Sequence, residues 1–215
     1  MARHVPLNTR YKRPNPNRSF VRILHIFTEG EFTEKEYINA LFNLLDNKFS
    51  CRGKFQIKII SSKGKSSPKN ILDSIKKTKK SFQNKDSNEV WCLIDQDQWP
   101  EDDVLILQEG KNVKQSVSIY KVLQSIPKFE LWILLHFDKA NGVVTAKEVD
   151  QKLKSYLPQY NKHLSANLFT LENVTVAINN ARLRTRNNHD AQTSVYELVE
   201  HMLELAQEGA AINTP

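Results

Sequence analysis

Three acidic residues have the types and placement to do chemistry together. Glu29 follows an apolar run ending at Thr28, and Asp95 and Asp97 follow a second such run ending at Ile94. Carboxylates that converge at the ends of neighbouring strands repel one another unless a proton or a cation bridges them. Mg²⁺ and Mn²⁺ prefer hard oxygen donors, so the pattern points to a divalent metal centre. A spacing of two lets Asp95 and Asp97 point to the same side of an extended chain. An acid at a strand end is also an ordinary loop residue, and it is the combination that argues. Glu34 opens the helical run that follows Glu29, where a helix start tolerates a carboxylate or a phosphate as readily as it carries a solvated acid. Glu130 is the one acid inside an apolar helical segment, so burial would demand a partner: a metal, directly or through water, or a cation such as Lys128. His136, in the same segment, reads as a core histidine.

The elements that must position these residues alternate. Residues 20–28 read as a strand, and an amphipathic run with Phe32, Tyr37, Ile38, Leu41, Phe42 and Leu45 reads as a helix, for which Thr33 and Glu36 form a capping-box signature. A strand over 55–60 follows, then a lysine-rich helix opened by Pro68. The near-continuous apolar run 90–94 suits a central strand covered on both faces. A helix over 102–111, a short strand over 117–122 and a buried helix over 127–137 complete a βαβαβαβα order. Three helices are expected beyond: one capped by Thr145 and Glu148, one over about 171–186, and one over 193–207 closed by Gly209.

The chain has 215 residues, 40% hydrophobic and 26% charged, with six glycines and eight prolines, which excludes disordered and collagen-like classes. Two cysteines, no secretory opening and no apolar run long enough for a bilayer lead to the expectation of a cytoplasmic protein with reduced thiols and no membrane partner. The net charge of +7 is uneven: residues 1–28 and 48–85 together carry +17, leaving −10 for the rest. Such asymmetry suits a polyanionic partner, although charge runs are often only solvated surface. Residues 1–19, with three prolines and no apolar periodicity, read as a flexible basic arm. Lys63, Lys65, Lys69, Lys76, Lys77, Lys79 and Lys80 are candidates for phosphate contact, with Arg182, Arg184 and Arg186 as a second stripe. Gly64-Lys65-Ser66 resembles the end of a P-loop, but Ile59 stands where its first glycine belongs. There is no Ser/His/Asp or Cys/His constellation and no zinc-ligand spacing, which argues against acyl transfer and zinc chemistry.

The run Thr28-Glu29-Gly30-Glu31-Phe32-Thr33-Glu34, with Tyr37 beyond it and Leu93-Ile94-Asp95-Gln96-Asp97 later, resembles the acidic signature of the Toprim domain. It is more closely similar to the RloB-like family of bacterial proteins associated with restriction and anti-phage defence, in which a segment such as Pro127-Lys128-Phe129-Glu130-Leu131-Trp132 follows the Asp-x-Asp. The resemblance covers residues 23–137. The tail around Gln192-Thr193-Ser194-Val195-Tyr196 is similar to the family's ending but lacks its proline.

The resemblance implies an α/β, Toprim-like core over 20–138, with a mostly parallel central sheet flanked by helices, and a helical extension over 139–215 packed on it. It implies a Mg²⁺- or Mn²⁺-dependent endonuclease in which Glu29, Asp95 and Asp97 hold metal and Glu34 and Glu130 are weaker catalytic candidates. The rival expectation is a non-catalytic module of the same fold that docks nucleic acid or a defence ATPase. A primase-like nucleotidyl transfer on the same core has no specific support in the sequence.

Overall fold

A computed structural model describes residues 21–61, 67–82, 84–96, 99–187 and 190–208. The basic arm, Lys63, Lys65, Asp97 and Gly209 lie outside them. The β-branched and apolar run Arg22–Thr28 forms β1, and Thr33–Phe49 forms α1. Then come β2 (Phe55–Ser61), α2 (Pro68–Lys79), β3 (Asn88–Asp95), α3 (Glu101–Glu109) and β4 (Ile119–Ile126). The remainder supplies α4 (Glu130–Leu134), α5 (Ala146–Tyr156), α6 (Leu171–Arg186), β5 (Gln192–Thr193) and α7 (Tyr196–Gln207). The described residues therefore form an α/β fold with a five-stranded sheet and seven α-helices.

The sheet order is β2-β1-β3-β4-β5, parallel except for the antiparallel β4–β5 pair. Alternation of side chains along the strands divides the core in two. Leu24, Ile26, Trp91 and Leu93 meet α1 and the later helices on one face, whereas Phe27, Val90, Cys92 and Ile94 meet α2 and α3 on the other. β3 is buried along seven of its eight residues, as its apolar run requires of a central strand. No described helix is long and apolar enough to cross a membrane.

Several expected boundaries move: the strand expected over 117–122 spans Ile119–Ile126, and the helix expected over 102–111 spans Glu101–Glu109. The buried helix over 127–137 contracts to α4, and the last helix starts at Tyr196 because Gln192 and Thr193 pair with the end of β4 instead. β4 runs on to Ile126, and β5 covers the carboxyl end of its outer edge, with Ser194 N–H donating to Gln124 O at 3.0 Å.

Arg184 corrects the expected arginine stripe. It is buried, and its guanidinium donates to the carbonyls of Ala191 (2.7 Å), Lys139 (3.1 Å), Ala140 (2.7 Å) and Val143 (3.0 Å), so it ties α6 to two loops and has no face for phosphate. At i, i+2 and i+4 the three arginines cannot share one helix face, and the middle one turns inward. Arg182 bonds Glu200 at 2.6 Å and Arg186 is exposed. Arg184→Ala is expected to cost about 3 kcal/mol by leaving buried carbonyls unpaired, and Arg184→Lys to recover only part of it because an ammonium cannot reproduce the fork. Urea midpoints of the two variants check this; a midpoint unchanged in Arg184→Ala contradicts it.

Candidate functional site

The sheet order sets the place. The chain leaves β1 towards β2 on one side and comes back to β3 on the other, so a crevice opens at the carboxyl ends of β1 and β3, the ligand position of open α/β sheets. Glu29 N–H donates to Leu93 O at 3.2 Å and carries the β1–β3 ladder one residue past Thr28. Asp95 N–H donates to Glu29 Oε2 at 3.0 Å, and Trp99 Nε1–H donates to Oε1 at 3.1 Å. These donors fix the Glu29 carboxylate across the crevice beside Asp95.

A cavity of about 330 Å³ opens there, lined among others by Glu29, Glu34, Asp95, Phe129, Glu130 and Lys162. Glu34 is buried, and its Oε1 accepts from Gly30 N–H at 2.8 Å. A Cβ on Gly30 would sit 2.2 Å from Glu34 Oε2, so only glycine allows the carboxyl to close over the turn. Burial, reinforced by the charge of Glu130 and opposed by the Gly30 bond and by Lys162, raises the Glu34 pKa above its ordinary value.

Glu130 is also buried. Tyr160 OH donates to its Oε1 at 3.0 Å, while Lys128 Nζ stands 3.9 Å from Oε2 and only 2.7 Å from Asp150. The cation expected from the sequence is therefore present but turned to Asp150, and the close partner is a tyrosine from the loop between α5 and α6. Beneath the cavity Tyr37, one turn after Glu34, meets the rings of Phe129 and Trp132 edge-on at 5.9 Å, which locks α4 against α1. His136 is the core histidine expected: Nδ1–H donates to Trp132 O at 2.9 Å, Nε2 accepts from Tyr37 OH at 3.2 Å, and burial lowers its pKa to about 4.

The capping box expected of Thr33 and Glu36 does not form. The N-cap is Phe32, without a side-chain bond, and the two residues hold the α5–α6 loop instead. Thr33 Oγ1 donates to Lys162 O and lies 3.0 Å from Tyr160 OH, and Glu36 accepts from Leu164 N–H at 2.7 Å beside His163 Nδ1 at 2.8 Å. A local pattern has been claimed by contacts nearly 130 residues distant, and through them Tyr160 and Lys162 reach the acidic cavity. Sequence reasoning missed both, because their loop carries neither periodicity nor motif, and it missed Trp99.

Four of the five candidate carboxylates, Glu29, Glu34, Asp95 and Glu130, thus line one cavity, and Asp97 lies outside the described residues. Among the described residues no group of three or more His, Cys, Asp or Glu is arranged to hold a metal ion. The donor chemistry suits a hard cation, and the described carboxylates alone do not complete its ligand set. The lysines spread along α2: Lys69 is exposed at the carboxyl edge of the sheet, whereas Lys76 to Lys80 stand roughly 15 Å further along the helix axis. Lys76 pairs with Asp73 at 3.4 Å, Lys79 donates to Asn112 O, and Lys77 and Lys80 are exposed.

The model of the family of RloB-like proteins matches residues 24–202. The chain belongs to the RloB-like family. The match runs well past Phe137, the end of the resemblance legible in the sequence, and takes in the Tyr160–Lys162 loop and Arg184. No curated protein and no solved structure matches the chain.

In this RloB-like chain the burial of the Glu34 carboxyl sets the sign of its pH-dependent contribution to stability. The folded state binds that proton more tightly than the unfolded one, so stability falls as pH rises from the ordinary value of 4.5 through the raised folded value, and below 4.5 the difference vanishes. Glu34→Gln keeps the acceptor for Gly30 N–H and removes the charge. In chelator it is expected to melt above wild type at neutral pH and level with it in the acid limb; a variant that melts lower at neutral pH contradicts the burial account.

Proposed function

We infer that this RloB-like protein is a Toprim-type, Mg²⁺- or Mn²⁺-dependent endonuclease that cleaves nucleic-acid phosphodiester bonds in anti-phage defence. The observation that carries the reading is the meeting of Glu29 and Asp95, from separate strands, at the switch-point crevice, with Glu34 and Glu130 in the same cavity. Glu29, Asp95 and Asp97 are the proposed ligands. A divalent cation bound there supplies Lewis acidity and neutralises the phosphodiester charge.

The chain's own residues have distinct tasks in this reading. The Asp95 N–H and Trp99 Nε1–H orient the Glu29 carboxylate before any ligand arrives. Burial raises the Glu34 pKa and so favours its protonated form, the form in which a carboxyl donates a proton. Lys162 adds positive charge to an otherwise acidic cavity, where it favours a phosphate over a neutral substrate. The exposed lysines of α2, with Lys63 and Lys65 before it and Arg182 and Arg186 on α6, are the proposed contacts to the strand.

Incubation with plasmid, single-stranded DNA and tRNA, each with Mg²⁺, Mn²⁺ or chelator, tests the reading. Metal-dependent cleavage by the wild type and its loss in Asp95→Asn are expected, together with loss of the Mn²⁺-induced rise in melting temperature. Binding without cleavage under any metal condition would instead favour a docking module. A second expectation separates binding from chemistry. Replacing Lys76, Lys77, Lys79 and Lys80 by alanine should weaken binding and flatten the slope of log affinity against log salt by about 0.9 per lost duplex phosphate contact, or about 0.7 for a single strand. Asp95→Asn should leave that slope intact; equal slopes for the lysine variant and the wild type return α2 to plain solvated surface.

A further inference from the structure

The lip of the acidic cavity carries aromatic surface that its carboxylates do not explain. Phe32 lines the cavity with Glu29 and Asp95 and is 49% exposed. An isolated exposed phenylalanine is ordinary surface, but this ring meets the imidazole of His163 at 5.0 Å between centroids and 59° between planes. His163 in turn lines a second, largely apolar cavity of about 410 Å³, whose walls include Tyr156, Pro158, Tyr160, Leu164 and Leu168. The acidic cavity and its apolar neighbour therefore adjoin through the Phe32–His163 pair.

The first turn of α1 holds the pair in place. Phe32 O accepts from Glu36 N–H at 2.8 Å, and the Glu36 carboxylate accepts from His163 Nδ1–H at 2.8 Å and from Leu164 N–H at 2.7 Å. Thr33 Oγ1 donates to Lys162 O at 3.0 Å. Lys162 has a φ of 73°, in the left-handed region that residues with a side chain seldom enter. At that turn the chain gives Lys162 to the acidic cavity and His163 to the apolar one. Backbone strain of this kind persists where surrounding contacts over-determine it, and it gathers at ligand sites.

Along the lip the groups thus run from a cation to an aromatic pair to an apolar hollow. The same order runs through one unit of a nucleic-acid strand, with a phosphate beside Lys162 and the adjoining base against the rings. Aromatic faces take nucleobases by stacking, with little regard to sequence. In a duplex both faces of each base are covered by its neighbours, so only an unpaired or splayed base has a face to offer. An apolar peptide would fill the hollow but make no use of Lys162.

We propose that the Phe32–His163 pair is a stacking platform for an unpaired nucleobase next to the phosphate in the acidic cavity, so that the site takes single-stranded or locally unpaired nucleic acid. The inference rests on the nuclease reading for the position of the phosphate. It adds a preference that carboxylates and a cation do not supply, because they meet the same phosphodiester in a duplex and in a single strand.

The test is fluorescence anisotropy of full-length protein in chelator with end-labelled ligands of equal length: a single strand, as DNA and as RNA, its duplex, and an abasic strand that keeps the phosphates without the bases. Wild type is expected to bind a single strand of at least one sugar type about tenfold more tightly than the abasic strand. Phe32→Leu, which keeps an apolar side chain without a ring face, should remove most of that advantage and leave the abasic and duplex affinities unchanged. Phe32→Trp should preserve it. A merely structural role for Phe32 would lower all the affinities together, and that result overturns the proposal. So does an advantage that survives in Phe32→Leu, or wild-type binding that does not distinguish the single strand from the abasic one. Base-dependent binding without cleavage under any metal condition would sink the nuclease reading and leave the platform standing, whereas metal-dependent cleavage with base-independent binding would overturn the platform alone.

Discussion

The bond from Asp95 N–H to the Glu29 carboxylate closes the crevice on which the remaining site geometry depends. It exists because β1 and β3 are adjacent and parallel, with Thr28 in register with Leu93, so that the residues just beyond the ladder meet at one height. Any parallel pair would bring two chain ends together. Only the pair at which the strand order reverses leaves room above them, since the connections to either side diverge. The acidic cavity is thus a consequence of topology first and of residue type second.

Gathering carboxylates in one cavity is electrostatically unfavourable, and the surrounding structure answers it residue by residue. Two N–H donors hold Glu29, the Gly30 backbone bonds Glu34, and Tyr160 bonds Glu130. Glu34 responds further with a raised pKa, caused chiefly by burial. Lys162 brings positive charge from a loop that α1 itself secures through Thr33 and Glu36. An arrangement that retains four acids at the cost of so many compensating contacts is suited to a ligand that needs them, and the proposed divalent cation is such a ligand.

The sequence revealed what local chemistry controls. Continuous apolar residues announced β3 as a central strand, Pro68 opened α2, and Thr145 with Glu148 formed the capping box that starts α5. Glu29 and Asp95 were legible because strand ends can be read from hydrophobic runs. The misses all involve partners remote in the chain. Thr33 and Glu36 matched a capping box but serve the α5–α6 loop, Arg184 looked like surface charge but is buried and binds four backbone carbonyls, and β5 is too short to show a period.

The central claim is that Glu29 and Asp95 form two walls of a single cation site. Anomalous diffraction at the manganese edge from crystals of the full chain equilibrated with Mn²⁺ tests it directly. The account expects an anomalous peak in the crevice within bonding distance of both carboxylates, with Asp97 completing the set. A peak held by other residues, or no peak in the crevice at saturating Mn²⁺, would contradict it.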